Sequence, residues 1–111
     1  MSQNRIVQIN EEIKRELSRL IPALKDPRIS GIVSVVRADT SGDLGVCKVY
    51  ISALDGSEQA VKGLESAAGH LRGEIGRTLG LRHAPKLQFI ADNSIARGAK
   101  ILEIINKLEE V

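Results

Sequence analysis

The chain has 111 residues, of which 42% are apolar and 27% charged, a composition typical of one folded domain and unlike that of a disordered chain. Sixteen lysines and arginines against fourteen acidic residues give a net charge of +2, too small by itself to indicate a nucleic-acid partner. No apolar run approaches the roughly 18 residues of a membrane span, and the first residues are unlike a signal peptide, so we expect a cytoplasmic protein. A single cysteine and two histidines predict neither a disulfide nor a metal site.

The first segment predicts a long amphipathic helix. Between Arg5 and Leu24 apolar residues recur at steps of three and four, with charged residues in the gaps. The helix should end before Lys25-Asp26-Pro27-Arg28, because the residue ahead of a proline is pushed out of helical geometry. Lys25 and Arg28 could contact phosphate from this rigid turn. Alternatively, the turn only ends the helix, and Asp26 accepts hydrogen bonds from local backbone N–H groups.

A β-hairpin is predicted next. Ile32 to Asp39 and Leu44 to Leu54 are rich in β-branched residues, and the residues between them have turn chemistry. The second strand alternates strictly, which is typical of an antiparallel sheet exposed on one face. Its apolar face would consist of Cys47, Val49, Ile51 and Ala53.

The following segment predicts two helical halves that share one buried face. Ser57 is expected to cap the start, with Glu58 in the first turn. Apolar residues then recur in phase from Val61 past Gly69 to Leu79. Gly80 should end the second half, and Pro85 follows as a stop signal.

The last part of the chain predicts a strand and a helix. Lys86 to Asp92 alternates as a third strand, and Asn93 or Ser94 can cap a closing helix. That helix would bury Ile95, Ala99, Ile101, Leu102, Ile105 and Leu108. The expected fold is therefore a single α+β domain of order α-β-β-α-α-β-α.

Five glycines fall in the predicted helical stretch, although each costs about 1 kcal/mol relative to alanine in a helix. At 100° per residue, four of them lie within about 40° of one another and away from the apolar stripe. We call these four the glycine strip: Gly69, Gly73, Gly76 and Gly80. Arg72 flanks it on one side, and His70 and Arg77 flank it on the other.

The charges around the glycine strip suggest a hypothesis. From Gly69 to Lys86 four basic residues, including Arg82, face one acidic residue. The strip would let an RNA backbone approach while the arginines pair with phosphates. Alternatively, the small residues let another helix or strand pack closely, or the glycines are neutral on a solvated face.

The aromatic, cysteine and histidine residues argue against several classes of function. Tyr50 and Phe89 are the only aromatic residues, which argues against reading single-stranded RNA by base stacking and favours recognition of folded RNA by shape and backbone. Cys47 lies inside a strand, and His70 and His83 have no partner in sequence. We therefore expect no enzymatic activity and no cofactor.

Several segments, taken in order, carry a family resemblance. They are Arg5-Ile6, Lys25 to Ile29, Asp43-Leu44, Lys48 to Ser52, Ala67-Ala68-Gly69, Leu79 to Arg82, Pro85 to Phe89, Asp92-Asn93-Ser94 and Gly98. Together they cover nearly the whole chain and resemble ribosome-binding factor A, a bacterial ribosome assembly factor. Some relatives carry a longer charged tail than a chain that stops at Val111, so contacts assigned to such a tail are not transferred.

The resemblance implies a type II K-homology fold, with a three-stranded sheet and helices on one face. Its usual Gly-x-x-Gly loop would be replaced by an Ala-x-Gly kink, here Ala67 and Gly69. The resemblance also implies binding to the small ribosomal subunit during late maturation of 16S rRNA, a role in processing the 5′ end of the precursor and in cold adaptation, and no cofactor. We expect a monomer with no membrane or small-molecule partner. The candidate RNA-binding residues are Lys25, Arg28, Ala67, Gly69, Arg72, Gly73, Gly76, Arg77, Arg82 and Lys86.

Three alternatives remain at this point. A generic K-homology domain that binds single-stranded RNA needs a loop with two glycines, and Ala67 stands in place of the first. A double-stranded RNA-binding domain needs three strands before its closing helix, where only two are predicted. A protein-interaction domain would use the exposed sheet face around Tyr50.

Overall fold

Helices cover one face of a three-stranded sheet in the computed structural model of the chain, which describes residues 3–29, 32–54 and 56–92. The elements are α1 (Gln3–Leu20), β1 (Val33–Thr40), β2 (Val46–Ala53), α2 (Ser57–Ser66), α3 (Ala68–Leu79) and β3 (Lys86–Ala91). This α+β order confirms the predicted one as far as β3. The predicted closing helix lies outside the described residues.

The first helix packs its apolar stripe on the sheet and on α3. Ile13 and Leu17 are fully buried, and Arg15 is on the solvent side. The α-helix ends at Leu20, earlier than the predicted Leu24, and a 3-10 turn follows over Ile21–Ala23. Pro22 explains the difference, because it has no N–H to donate to the carbonyl four residues earlier, and an α-helix cannot continue regularly through it.

The sheet has β2 at its centre and is mixed. The hairpin partner β1 is antiparallel to β2 as predicted, whereas β3 runs parallel to it, with Val49 beside Phe89. The antiparallel arrangement expected from the alternation of β2 holds for the hairpin, and the third strand, whose direction was not predicted, makes the sheet mixed. The physical reason is the connection, since a helical crossover such as α2–α3 brings the chain back to the same end of the sheet and yields a parallel neighbour.

The faces of β2 follow the predicted alternation. Cys47, Val49 and Ile51 are completely buried, together with Leu87 and Phe89 of β3 at 6% and 4% exposure. Burial raises the pKa of the Cys47 thiol, which lowers its reactivity. The prediction that Cys47 is a core residue is confirmed.

A β-bulge in β1 changes which side chains face outward. Val35 pairs with Ile51 on the buried face, but the register shifts before Arg37, which pairs with Tyr50. Two residues apart on a regular strand, Val35 and Arg37 would share a face; the extra residue turns Arg37 to the other side. There its guanidinium lies 4.3 Å from the centre of the Tyr50 ring, a cation–π contact.

The start of α2 differs from the prediction. Gly56, with φ of 124°, is the N-cap, and no side chain caps the helix. The Ser57 hydroxyl instead accepts the Ala53 N–H at 2.9 Å and donates to the Ala53 carbonyl at 3.2 Å. Ser57 was thus wrongly predicted as a cap, because the tight glycine turn places it inside the helix and against the end of β2.

Candidate nucleic-acid interface

The two helical halves meet at one residue. Ala67, with φ of −95° and ψ of 3°, separates α2 from α3, and its N–H is shared between the Gly63 and Leu64 carbonyls at 3.3 and 3.1 Å. Leu64 and Leu71 on either side are both fully buried, so the shared apolar face continues across the break. Gly69 lies within the first turn of α3, and its backbone does not need the left-handed region.

The glycine strip divides into three kinds of position. Gly69 and Gly73 are exposed, and a Cβ built on either would meet nothing within 4 Å. At Gly76 a Cβ would lie 3.3 Å from the Ala84 Cβ. Gly80 ends α3 in the left-handed conformation with φ of 65°, as predicted from its place in the sequence. Close packing therefore explains Gly76, and a helix end explains Gly80.

The fifth glycine packs in the interior. A Cβ on Gly63 would lie 2.7 Å from Ile29 Cγ1 and 3.3 Å from Arg28 Cβ. The turn that follows α1 therefore sits directly on α2. Arg28 Nη2 also donates to the Ser66 hydroxyl at 3.0 Å, which brings this turn next to the break at Ala67.

The turn is organised by an ion pair. Arg28 donates from Nε and Nη2 to the two Asp26 carboxylate oxygens at 3.0 and 2.7 Å, and Asp26 also accepts the Arg28 backbone N–H at 2.9 Å. The Arg28 guanidinium and this backbone donor lower the pKa of Asp26 to about 2. The local hydrogen bond is the one expected if the turn ends the helix, while Lys25 remains exposed.

The arginines of α3 have different partners. Arg72 Nε donates to the Ala84 carbonyl at 3.0 Å, so this side chain is attached to the loop after α3. Arg77 pairs with Glu74 one turn earlier on the surface, and 74% of its side chain is exposed. Such a surface pair contributes little to stability, so Arg77 can exchange Glu74 for another anion at small cost.

Two shallow hollows share Arg72 and the loop after α3 as part of their lining. The first, of about 500 Å³, lies along the open glycines; it is lined by Gly69, Arg72, Gly73, Gly76, Arg77, Leu81, Arg82, His83 and Ala84. The second, of about 580 Å³, shares Arg72 and the loop and extends to Arg5 and the turn between β1 and β2. Four arginines, those at positions 5, 72, 77 and 82, therefore line the two hollows, and Asp43 in the second is the acidic residue among their lining.

Six of the ten candidate residues line the first hollow. Ala67, Lys25, Arg28 and Lys86 do not, although Lys86 is exposed at the start of β3. Leu81, His83 and Ala84 were missing from the prediction, because loop residues have no periodic position that would place them beside α3. The only sequence signal for His83 was its place next to Arg82 in a basic segment.

Neither a metal site nor a membrane-spanning helix is found among the described residues. Between residues 3 and 92, with the stated gaps, no cluster of His, Cys, Asp and Glu could hold a metal ion. None of the described helices is long and apolar enough to cross a membrane.

Comparison with known proteins agrees with the resemblance seen in the sequence. A family model described as ribosome-binding factor A matches residues 5–105. The chain belongs to the ribosome-binding factor A family. Ribosome-binding factor A of Acetivibrio thermocellus is 47% identical over 107 residues, covering 93% of this chain and 87% of that protein. The Trichormus variabilis protein is 46% identical over 111 residues, covering 95% and 83%.

Solved structures of ribosome-binding factor A share the fold. The crystal structure of the Thermus thermophilus protein matches with a TM-score of 0.74 at 29% identity, covering 80% of this chain and 97% of that one. A homology model of the Thermus thermophilus protein, fitted into a cryo-EM map of a complex with the 30S subunit, matches with a TM-score of 0.69 at 30% identity over 79% and 96%. The predicted fold class is confirmed.

Proposed function

We propose that the chain is an assembly factor that binds the small (30S) ribosomal subunit and assists late maturation and 5′-end processing of 16S rRNA, with a role in cold adaptation. It acts in the cytoplasm as a single-domain monomer, without catalysis or a cofactor. Membership of the ribosome-binding factor A family supports this proposal, as does the fold shared with the Thermus thermophilus protein fitted into a 30S complex.

The surface around the two hollows is the proposed rRNA contact. Guanidinium groups make strong, charge-assisted hydrogen bonds to phosphate, and such contacts position RNA without reading its bases. Arg77 and Arg82 are exposed on this surface, and the open glycines beside them leave room for a sugar-phosphate backbone. The convergence of these arginines on one concave surface is the structural observation that carries the proposal.

The remaining candidates extend this surface in two directions. Lys86 continues it onto the start of β3, and Lys25 and Arg28 lie on the turn beside Ala67. The Arg28 guanidinium already holds Asp26, with 45% of the side chain exposed. We propose Lys86 as part of the main contact and the turn as a weaker, secondary one.

The outer face of the sheet is poorly suited to binding RNA by base stacking. Tyr50 is the only aromatic side chain on it in the described part of the chain, and Arg37 lies over its ring. A base would have to displace this guanidinium. Recognition through phosphates is therefore preferred over recognition through stacked bases.

Sedimentation with purified small subunits tests the proposal. The full chain should co-sediment with immature subunits, and binding should fall steeply as salt increases, because phosphate contacts release counterions. The charge reversals Arg77→Glu and Arg82→Glu together should greatly weaken binding. The matched control combines Arg15→Glu with Lys62→Glu, which changes the net charge equally at exposed positions outside the hollows.

The outcomes separate the competing functions. Absence of the wild-type protein from mature and immature subunits alike at low salt would refute the assembly-factor proposal. Binding that ignores salt and survives the Arg77 and Arg82 reversals would indicate a protein contact through the sheet face around Tyr50. Equal losses in the test and control variants would show that net charge, rather than this surface, governs binding.

A further inference from the structure

The loop between α3 and β3 is held against α3 at both of its ends. The Leu81 N–H donates to the Gly76 carbonyl at 2.9 Å. At the other end the Ala84 carbonyl accepts Arg72 Nε at 3.0 Å, and the Ala84 methyl group packs where Gly76 has no side chain. Pro85, which follows, is fully buried. The backbone of this short loop therefore has a defined position on the helix.

The two residues between these attachments face solvent. Arg82 and His83 are exposed and line both hollows. Within the described residues their side chains have no hydrogen bond or ion pair. Arg72 has the opposite arrangement, since its Nε is committed to the loop.

We propose that Arg72 and Gly76 are positioning residues, and that Arg82 and His83 on the loop make phosphate contacts beside that of Arg77. The inference rests on the proposed function and divides its binding surface into contacting and supporting parts. A loop fixed before binding loses less conformational freedom when it meets its partner than a free loop does. The rRNA backbone is the ligand, and the contacts of the loop with Arg72 and Gly76 on α3 fix where the two loop side chains meet it.

A double-mutant cycle tests this division of roles. Dissociation constants of full-length variants for purified immature small subunits would be measured over a series of salt concentrations. Arg72→Met, which keeps the length of the side chain but removes the donor to the Ala84 carbonyl, would be made in the wild-type chain and in a loop-neutral background that carries Arg82→Gln and His83→Gln. The loop-neutral background alone should weaken binding and reduce the salt slope by about 0.7–0.9 for each phosphate that the loop no longer neutralises.

A positioning role predicts strong coupling between the two sets of substitutions. Arg72→Met should weaken binding by about fivefold or more in the wild-type chain, but by less than about twofold in the loop-neutral background. An equal loss in both backgrounds would overturn the proposal, because Arg72 would then contact the subunit independently. Failure of the wild-type chain to bind would instead refute the proposed function.

A second variant disturbs the contact between α3 and Ala84 without removing charge, and it keeps the proposal testable if Arg72→Met fails to fold. Gly76→Val leaves every cation in place but fills the space taken by the Ala84 methyl group. It should weaken binding and reduce the salt slope in the wild-type chain, with little further effect in the loop-neutral background. An unchanged slope, or an equal loss in both backgrounds, would show that Gly76 does not act through the loop. Circular dichroism and thermal unfolding of each variant would verify the fold.

Discussion

Glycine-to-alanine substitution should stabilise the protein at one helical position, Gly73, but not at another, Gly63. In a helix interior this change stabilises a protein by about 1 kcal/mol. At Gly73 a Cβ meets nothing within 4 Å, so Gly73→Ala should show the whole gain. At Gly63 the Cβ would lie 2.7 Å from Ile29 Cγ1, and overpacking of this kind costs about 1–3 kcal/mol. Gly63→Ala should therefore be between neutral and about 2 kcal/mol less stable than the wild-type chain.

The comparison is measured by urea and thermal unfolding followed by far-ultraviolet circular dichroism. A difference of about 1–3 kcal/mol between the variants corresponds to roughly 4 °C in Tm per kcal/mol for a domain of this size. Gly73→Ala is the matched control, since it has the same change of side chain in the same helical pair. Equal stabilisation by both substitutions would refute the conclusion that the turn containing Ile29 is seated on α2.

Three further predictions concern single residues. Because the pKa of Asp26 falls from 3.8 to about 2 on folding, its ion pair should stabilise the protein above pH 4 and lose that effect as pH falls from about 4 to 2; an NMR titration midpoint near 3.8 would contradict this. Gly80→Ala should destabilise the chain by about 1 kcal/mol, because Gly80 has φ of 65°, and Gly80→Asn should cost less in the same thermal assay. Cys47 should react with a thiol reagent only as fast as the protein unfolds, since its side chain is fully buried; fast labelling under native conditions would exclude that burial.

The periodic parts of the fold could be predicted from the sequence. Ile13 and Leu17 recur at helical spacing, and Cys47 and Val49 alternate at strand spacing. Both pairs are buried as expected, because burial of one face imposes its period on the sequence. The helix end at Gly80 was predictable for a similar reason, since its left-handed backbone favours one residue type.

Contacts between distant segments could not be predicted. Gly63 and Gly73 look alike in sequence, yet one is covered by Ile29 and the other is open. Arg72 was expected to flank the glycine strip, but its hydrogen bond to Ala84 depends on how the loop returns over α3. The bulge that turns Arg37 outward also leaves no clear mark in the alternation of β1. In each case the partner lies on another element, which local patterns do not identify.

The break at Ala67 also affects the length of the helical connection between β2 and β3 relative to the strands. An unbroken helix from Ser57 to Leu79 would have 23 residues and a length of about 35 Å. The eight residues of β2 span only about 26 Å. A straight helix would therefore overshoot the strand it has to cover. Dividing it at one residue gives helices of 10 and 12 residues, about 15 and 18 Å long. Each is shorter than β2, so the break also matches the connection to the length of the sheet, independently of any RNA.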